Sequence, residues 1–224
     1  ATEDIVRAVQ QFFHNDPLTL FNKSVLVTAG PPVESIDPVR YFTNHSTGKM
    51  GFAIAEVASR WGANVTLVAG PASLPTPKGV QRIDVTTAEE MYEAVSTRYD
   101  QTDLVIKAAA VADYRPKKVF TQKMKKQEGT LTIKMERTTD ILAALGKRKT
   151  NQFLVGFAAE SENVETNAQK KLTAKNLDMI VANNIGEEGS GFAGDTNVVT
   201  IFHRNGEEKA LPKMSKLDVA KEIL

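Results

Sequence analysis

No cysteine occurs among the 224 residues. Disulfides, thiolate metal sites and a cysteine nucleophile are therefore excluded, and the composition fits a reducing compartment. Nor does any apolar run approach the ~18 residues that mark a membrane-spanning helix. The first residues, Ala1-Thr2-Glu3-Asp4, lack the basic and apolar stretches of a secretory signal. An excess of one charge is missing too. The 28 basic and 27 acidic residues leave a net charge of +1, so there is no overall pull toward nucleic acid or a membrane surface, and any anion site must come from local arrangement. The expectation is a soluble cytoplasmic protein.

Two common nucleotide signatures are absent as well. After Gly30 come Pro31, Pro32 and Val33, with no glycine until Gly48, so the dinucleotide fingerprint fails. Ser46-Thr47-Gly48-Lys49 is followed by Met50 rather than Ser or Thr, so it is not a Walker A loop. Tyr114 and Lys118 have the spacing of a short-chain dehydrogenase pair, but Pro116 between them opposes the required helix. His14, His45 and His203 are too dispersed for a metal triad; only His45 falls in a candidate site, and no dedicated metal motif is present.

What the chain has is a β-α rhythm. Its hydrophobic content of 42% is enough for a real core. Short unbroken apolar runs at residues 24–28, 64–69, 80–85, 103–107, 153–157 and 179–182 read as buried strands. Helical spacing over 51–61, 88–99 and 164–175 lies between them. Thr87 and Glu90 form a potential capping box. The fold class is α/β, a three-layer Rossmann-like, mostly parallel sheet with helices on both faces. A C-terminal β-hairpin follows, residues 198–211, around an Asn205-Gly206 turn. Ser215 then caps a last helix, 216–224. Residues 1–22 read as an N-terminal helical linker segment and 23–224 as one nucleotide-binding domain. Between the fourth and fifth parallel strands a strongly basic stretch, 114–127, and the alternating residues 131–135 suggest an arm or flap.

Ligands of open parallel sheets bind beyond the carboxyl ends of the strands. Four ends here are rich in small residues, at Gly30, at Gly70, at Ala108-Ala109-Ala110 and at Gly156-Phe157-Ala158-Ala159, which allows close approach to the backbone. The long polar loop from Asp37 to Gly51 carries Arg40, Asn44, Ser46, Thr47 and Lys49 with Gly48 at a helix start, where an anion is favoured. An ordinary helix cap explains Ser46-Thr47 equally well. Clustered lysines at Lys123-Lys126, and the i, i+4 pair Lys171 and Lys175, are equally consistent with a solvated face.

Taken jointly, Asp37-Pro38-Val39-Arg40-Tyr41, Asn44-His45-Ser46, Gly48-Lys49-Met50-Gly51, Ala109-Ala110-Val111-Ala112-Asp113-Tyr114, Lys123-x-Lys125-Lys126 and Gly156-Phe157-Ala158-Ala159-Glu160 resemble the bacterial phosphopantothenate–cysteine ligases, the phosphopantothenoylcysteine synthetases of coenzyme A biosynthesis. The resemblance runs from about residue 23 to the end of the chain. It implies ligation of 4′-phosphopantothenate and L-cysteine, driven by CTP with Mg²⁺ through an acyl-cytidylate. It implies a homodimer, commonly fused behind a flavin-dependent decarboxylase, so the chain is expected to be a fragment carrying no flavin. It places Lys107, Ala108, Ala109, Asp113, Lys123, Thr138, Thr139, Asp140, Ile141, Phe157, Lys171 and Lys175 around CTP. Lys107 contributes through its backbone, because the family more usually has a small residue there; Thr139 stands where a proline is common. Asn44, Arg40 and Lys123 become the catalytic candidates: Asn44 at the acyl-intermediate step, Lys123 on phosphate, and Arg40 either at the pantothenate phosphate or at the reacting centre. Gly30, Ser46, Thr47, Gly48 and Lys49 remain a possible phosphate or substrate loop. The alternatives are an NAD(P)-dependent oxidoreductase and a non-enzymatic nucleotide-binding module.

Overall fold

The computed structural model describes residues 19–126, 128–160, 162–184 and 194–224. Residues 1–18 of the expected N-terminal helical linker segment lie outside them. In chain order the elements are β1 (Ser24–Ala29), β2 (Val33–Ser35), β3 (Tyr41–Thr43), α1 (Lys49–Arg60), β4 (Asn64–Ala69), β5 (Val80–Asp84), α2 (Ala88–Ser96), β6 (Leu104–Lys107), β7 (Tyr114–Pro116), β8 (Met135–Arg137), α3 (Ile141–Arg148), β9 (Phe153–Glu160), α4 (Val164–Ala174), β10 (Met179–Asn184), β11 (Thr196–Asn197), β12 (Val199–His203), β13 (Glu208–Ala210), β14 (Met214–Ser215) and α5 (Lys216–Ile223).

The apolar runs form a sheet because both of its faces are covered. Alternate residues of β1 point to opposite cores. Val25, Val27 and Ala29 pack with Phe52, Ile54 and Val57 of α1 and with Val219 and Ile223 of α5. Leu26 joins Met91 and Val95 of α2, Ile141 and Leu145 of α3, and Leu172 of α4 on the other side. Eight strands pair in the order β13-β12-β10-β9-β6-β1-β4-β5. Strands β5, β4, β1, β6, β9 and β10 run parallel. Counted among themselves in chain order they read 3-2-1-4-5-6, the order of dinucleotide-binding folds. The strand order reverses between β1 and β6, so the loops leaving these two strands diverge and open a crevice.

Close approach of α1 to the end of β1 depends on Gly51. A Cβ there would fall 2.5 Å from the Ala29 Cβ and 2.9 Å from the Thr28 carbonyl oxygen. The helix is entered through Gly48, whose φ of 79° suits a residue without a side chain.

Several local expectations hold and some shift. Thr87 accepts the Glu90 N–H, but the Glu90 carboxylate reaches back to the Thr86 N–H, one residue before the usual partner. Helix α2 stops at Ser96, and Tyr99–Gln101 forms a separate 3-10 turn. The C-terminal hairpin β12–β13 turns through residues 204–207, with Gly206 at φ 90°. Residues 131–134 form no strand; only Met135–Arg137 pairs, antiparallel with Tyr114–Pro116. The Leu131 side chain is 63% exposed, so its alternation does not mark a strand packed on the core. Tyr114–Pro116 being a strand also disposes of the dehydrogenase-like spacing. Neither α3 nor the β2–β3 hairpin is expected from the sequence.

Candidate functional site

At the carboxyl end of β1 the chain is tied to the neighbouring strand. The buried Thr28 accepts the Ala109 N–H at its Oγ1 (3.2 Å), and the Thr28 and Gly30 carbonyls accept the N–H groups of Ala108 and Ala110. The loop after β6 is thereby held as an extended wall. Asn44, from the polar loop before α1, donates from Nδ2 to the Val111 carbonyl (3.1 Å), which closes the loop over that wall.

Two cavities meet along it. The first, about 370 Å³, is lined by Asn44, His45, Ser46, Thr47, Gly48, Lys49, Met50 and Gly51, by residues 107–111, by Phe157, Ala158 and Ala159, and by Asn183, Asn197 and Lys216. Its lining is rich in glycine and alanine, with Phe157 among them. The second, about 440 Å³, is polar and is lined by Lys107, Val111, Asp113, Tyr114, Arg137, Thr138, Thr139, Asp140, Ile141 and Lys175. Thr138 donates its hydroxyl to the Ala112 carbonyl (2.6 Å), and Asp140 caps α3 by accepting the Ala143 N–H (3.0 Å). Among the described residues, only Lys107 and Val111 line both cavities.

Charge in this crevice is partly cancelled in place. Lys175 pairs with Asp140 at 2.8 Å. Burial raises the Asp140 carboxyl, but the hydrogen bonds from Lys175 and the Ala143 N–H outweigh it and leave its pKa lowered. Lys49 pairs with Asp195 at 2.7 Å. Lys216 is buried and donates to the Gly194 carbonyl (2.5 Å); burial, then repulsion from Lys49, pushes its ammonium down. Burial also pushes Lys107 down to about 8, reinforced by Lys175 and Lys171 and opposed by Asp140 and Asp113.

The basic arm makes a different kind of site. Its cavity, about 950 Å³, is lined by Arg40, Phe120, Lys123, Met124, Lys125, Lys126, Glu128, Gly129, Thr130 and Leu131. One carboxylate holds it. The Asp37 side chain is closed to solvent. It accepts the N–H groups of Val39 (2.8 Å), Arg40 (2.8 Å) and Met124 (3.1 Å), and Nε and Nη2 of the Arg40 guanidinium (3.0 and 2.5 Å). The same guanidinium donates to the Met124 carbonyl (2.8 Å). Burial works against ionisation of Asp37, but these hydrogen bonds prevail and hold its carboxyl well below the usual range. The hairpin presenting Arg40 is fixed to the body through Glu34, whose carboxylate accepts the Ala88 N–H at the start of α2 (2.8 Å).

Most of the residues singled out from the sequence thus come together. Lys107, Ala108, Ala109, Asp113, Thr138, Thr139, Asp140, Ile141, Phe157 and Lys175 line the crevice, as do Asn44, Ser46, Thr47, Gly48 and Lys49. Gly30 and Lys171 line neither cavity; Gly30 backs the wall, and Lys171 acts on Lys107 through its charge. Arg40 and Lys123 share the arm cavity instead. Asn183, Asn197, Lys216 and Arg137 are additions. Asn183 is the penultimate residue of a parallel strand, a position that the strand-end rule could have flagged; Lys216 was legible only as the start of a helix. Among the described residues no group of three or more His, Asp and Glu side chains could hold a metal ion, and no helix is long and apolar enough to cross a membrane.

Comparison with known proteins agrees with this architecture. A relative in Bacillus subtilis (strain 168), the coenzyme A biosynthesis bifunctional protein CoaBC, is 54% identical over 224 residues, covering 99% of this chain and 55% of the relative. The chain thus spans about half the length of the curated relatives it matches. The crystal structure of the C-terminal domain of a coenzyme A biosynthesis bifunctional protein CoaBC superposes with a TM-score of 0.79 at 49% identity, over 91% of this chain and 93% of that one. A Cab2 mutant solved in complex with phosphopantothenate-cysteine shares the fold, with a TM-score of 0.75 at 15% identity over 99% of this chain and 92% of that one. Residues 20–224 match the family described as DNA/pantothenate metabolism flavoprotein C-terminal domain, and the chain belongs to that family.

Proposed function

We propose that the chain is a CTP-dependent ligase that joins 4′-phosphopantothenate to L-cysteine for coenzyme A biosynthesis. The observation that carries this reading is the pair of joined cavities at the switch point of the sheet, one rich in small residues, the other polar and cationic, with an amide side chain on the rim. The relatives' role in coenzyme A biosynthesis supports the choice of substrates.

In this mechanism the first cavity takes the flat nucleoside against Ala108, Ala109, Phe157 and Ala158. The second takes the triphosphate of the magnesium–CTP complex near Lys175 and the start of α3, where cations and helix N–H groups favour anions. Asp113 accepts hydrogen bonds from the nucleotide. A carboxylate oxygen of 4′-phosphopantothenate attacks the α-phosphorus; the bond to the β-phosphate breaks and its electron pair leaves with pyrophosphate, giving an acyl-cytidylate. The cysteine amine then attacks the acyl carbon, loses a proton to solvent, and CMP departs with the electron pair of the acyl–oxygen bond. Both steps depend on alignment and charge neutralisation more than on side-chain acid–base chemistry. Since Asn44 commits an N–H to Val111, its Oδ1 is the acceptor that orients the cysteine amine.

Lys123 does not face the crevice of its own chain, and a homodimer accounts for that. Val39, Tyr41, Phe42, Tyr114, Val119 and Leu131 are all exposed on the two small hairpins and the arm. A second copy would cover this apolar surface and would receive Lys123 at its own crevice. In the full-length protein we infer fusion to a flavin-dependent decarboxylase domain.

The test is direct. The protein with CTP, Mg²⁺ and 4′-phosphopantothenate should release pyrophosphate, and cysteine should then release CMP. Absence of pyrophosphate under all conditions overturns the reading.

A further inference from the structure

The cations of the crevice differ in what engages them. Lys49 has Asp195, Lys175 has Asp140, and Lys216 has the Gly194 carbonyl. Among the described residues, no hydrogen bond or ion pair engages the Lys107 ammonium. Arg137 is likewise unengaged among them, but its side chain is exposed. Lys107 is partly buried, at the end of β6, beside β1, where the strand order reverses and the two cavities join.

The charged groups around it are Asp113 from the segment after β6, Asp140 from the cap of α3, and Lys171 and Lys175 from α4. Both lysines repel it, and Asp140 is already held by Lys175. A partly desolvated cation without its own counter-ion is unfavourable in the free protein. Such a group fits a place where an anion arrives, and its lowered pKa at a strand-end cavity marks a functional candidate.

We propose that the Lys107 ammonium receives the α-phosphate of the nucleotide at the junction of the two cavities. There it stabilises the charge that develops as the carboxylate oxygen bonds to the α-phosphorus and the bond to pyrophosphate breaks. The electron pair of that bond leaves on pyrophosphate; the ammonium keeps its proton. This rests on the ligase reading and goes beyond it, because the family resemblance assigns only the Lys107 backbone to the nucleotide.

Lys107→Met and Lys107→Arg test it with three readouts. Pyrophosphate release in the presence of CTP, Mg²⁺ and 4′-phosphopantothenate should fall about 10²-fold in Lys107→Met, the scale of losing one donor to a transition state. Lys107→Arg should recover all but about tenfold of it. Thermal stability of Lys107→Met should equal or exceed wild type, because removing a cation that lacks a counter-ion relieves a desolvation cost. Inorganic tripolyphosphate, measured by calorimetry, should bind Lys107→Met about tenfold more weakly than wild type, as expected for loss of a charge-assisted contact. Wild-type pyrophosphate release in Lys107→Met overturns the proposal. So does a loss of activity that tracks a lowered melting temperature, which would make Lys107 a packing residue. If wild type itself releases no pyrophosphate, the ligase reading fails; tripolyphosphate then decides the anion site alone, weaker binding to Lys107→Met sustaining it and equal or absent binding ending it.

Discussion

The crevice at the strand ends and the basic arm are both cationic, but they are built in opposite ways. The crevice is a by-product of sheet topology: β1 and β6 send their loops to opposite sides, and backbone bonds such as Ala109 N–H to Thr28 Oγ1 hold its wall. Lys175 and Lys49 there come with carboxylate partners on other elements. The arm has little regular structure beyond the β7–β8 pair, and its lysines are exposed. Its position depends on one shielded carboxylate, Asp37, which gathers donors from both its own turn and Met124. Rigid positioning in the first case comes from a core that cannot deform cheaply. In the second it comes from a single polar cluster that one substitution can open.

Four substitutions separate these modes, from the largest expected effect to the smallest. Asn44→Ala, at the crevice rim, should lower amide formation about 10²–10³-fold, the scale of removing one positioned polar group, while pyrophosphate release persists and acyl-cytidylate accumulates. Quenched-flow detection of the intermediate checks this; equal loss of both half-reactions would remove Asn44 from the second step. Lys123→Ala, on the arm, should cost about 10²-fold in turnover, and mixing it with a crevice-defective variant such as Asn44→Ala should restore activity if the arm serves the partner. Recovery absent from the mixed sample would place Lys123 in service of its own chain.

Asp37→Asn tests the anchor itself. An amide cannot accept from all of these donors, so the arm should loosen and turnover fall by about 10- to 10²-fold, as misplacement of a distant group does, with faster proteolysis after the arm lysines. Acidity supplies a second check. The folded-state pKa of Asp37 is depressed below its ordinary 3.8, so its contribution to stability is present in full above that value and is lost as pH falls toward the lower, folded-state value. The stability difference between wild type and Asp37→Asn should therefore be constant near neutrality and shrink below about pH 4; a constant difference down to pH 2 would argue against an ionised anchor. Thr28→Val should leave the Ala109 N–H without its acceptor and cost about 1–3 kcal/mol in urea unfolding, with less effect on arm proteolysis than Asp37→Asn. A variant as stable as wild type would show that the wall holds without this bond.

The two regions also differed in how far they could be read from residues alone. The parallel strands were legible because each is a short unbroken apolar run, and burial on both faces demands that pattern. Their small-residue ends pointed to the crevice for the same reason, since close packing and close ligand approach both favour glycine and alanine. Helix α3 was not legible: at eight residues (Ile141–Arg148), it merged with the Thr138-Thr139-Asp140-Ile141 segment read as a binding loop. The β2–β3 hairpin escaped because its strands are three residues each and carry too little alternation to show a period. Lys123 was placed at the nucleotide by resemblance, whereas its own chain puts it beside Arg40.

By itself the sequence determined the layer architecture, because hydrophobic periodicity is a local property and a buried parallel strand has few other ways to be written. It also excluded thiol chemistry, a Walker loop and a glycine dinucleotide fingerprint. Only the tertiary structure decided which charges meet. Asp37 and Met124 lie 87 positions apart and touch; Lys175 finds Asp140, and the Lys107 ammonium, which lines the same cavity, finds no hydrogen-bond or ion-pair partner among the described residues. Electrostatic pairing depends on distances of a few ångströms between segments far apart in the chain, and no residue pattern along one strand or helix encodes those.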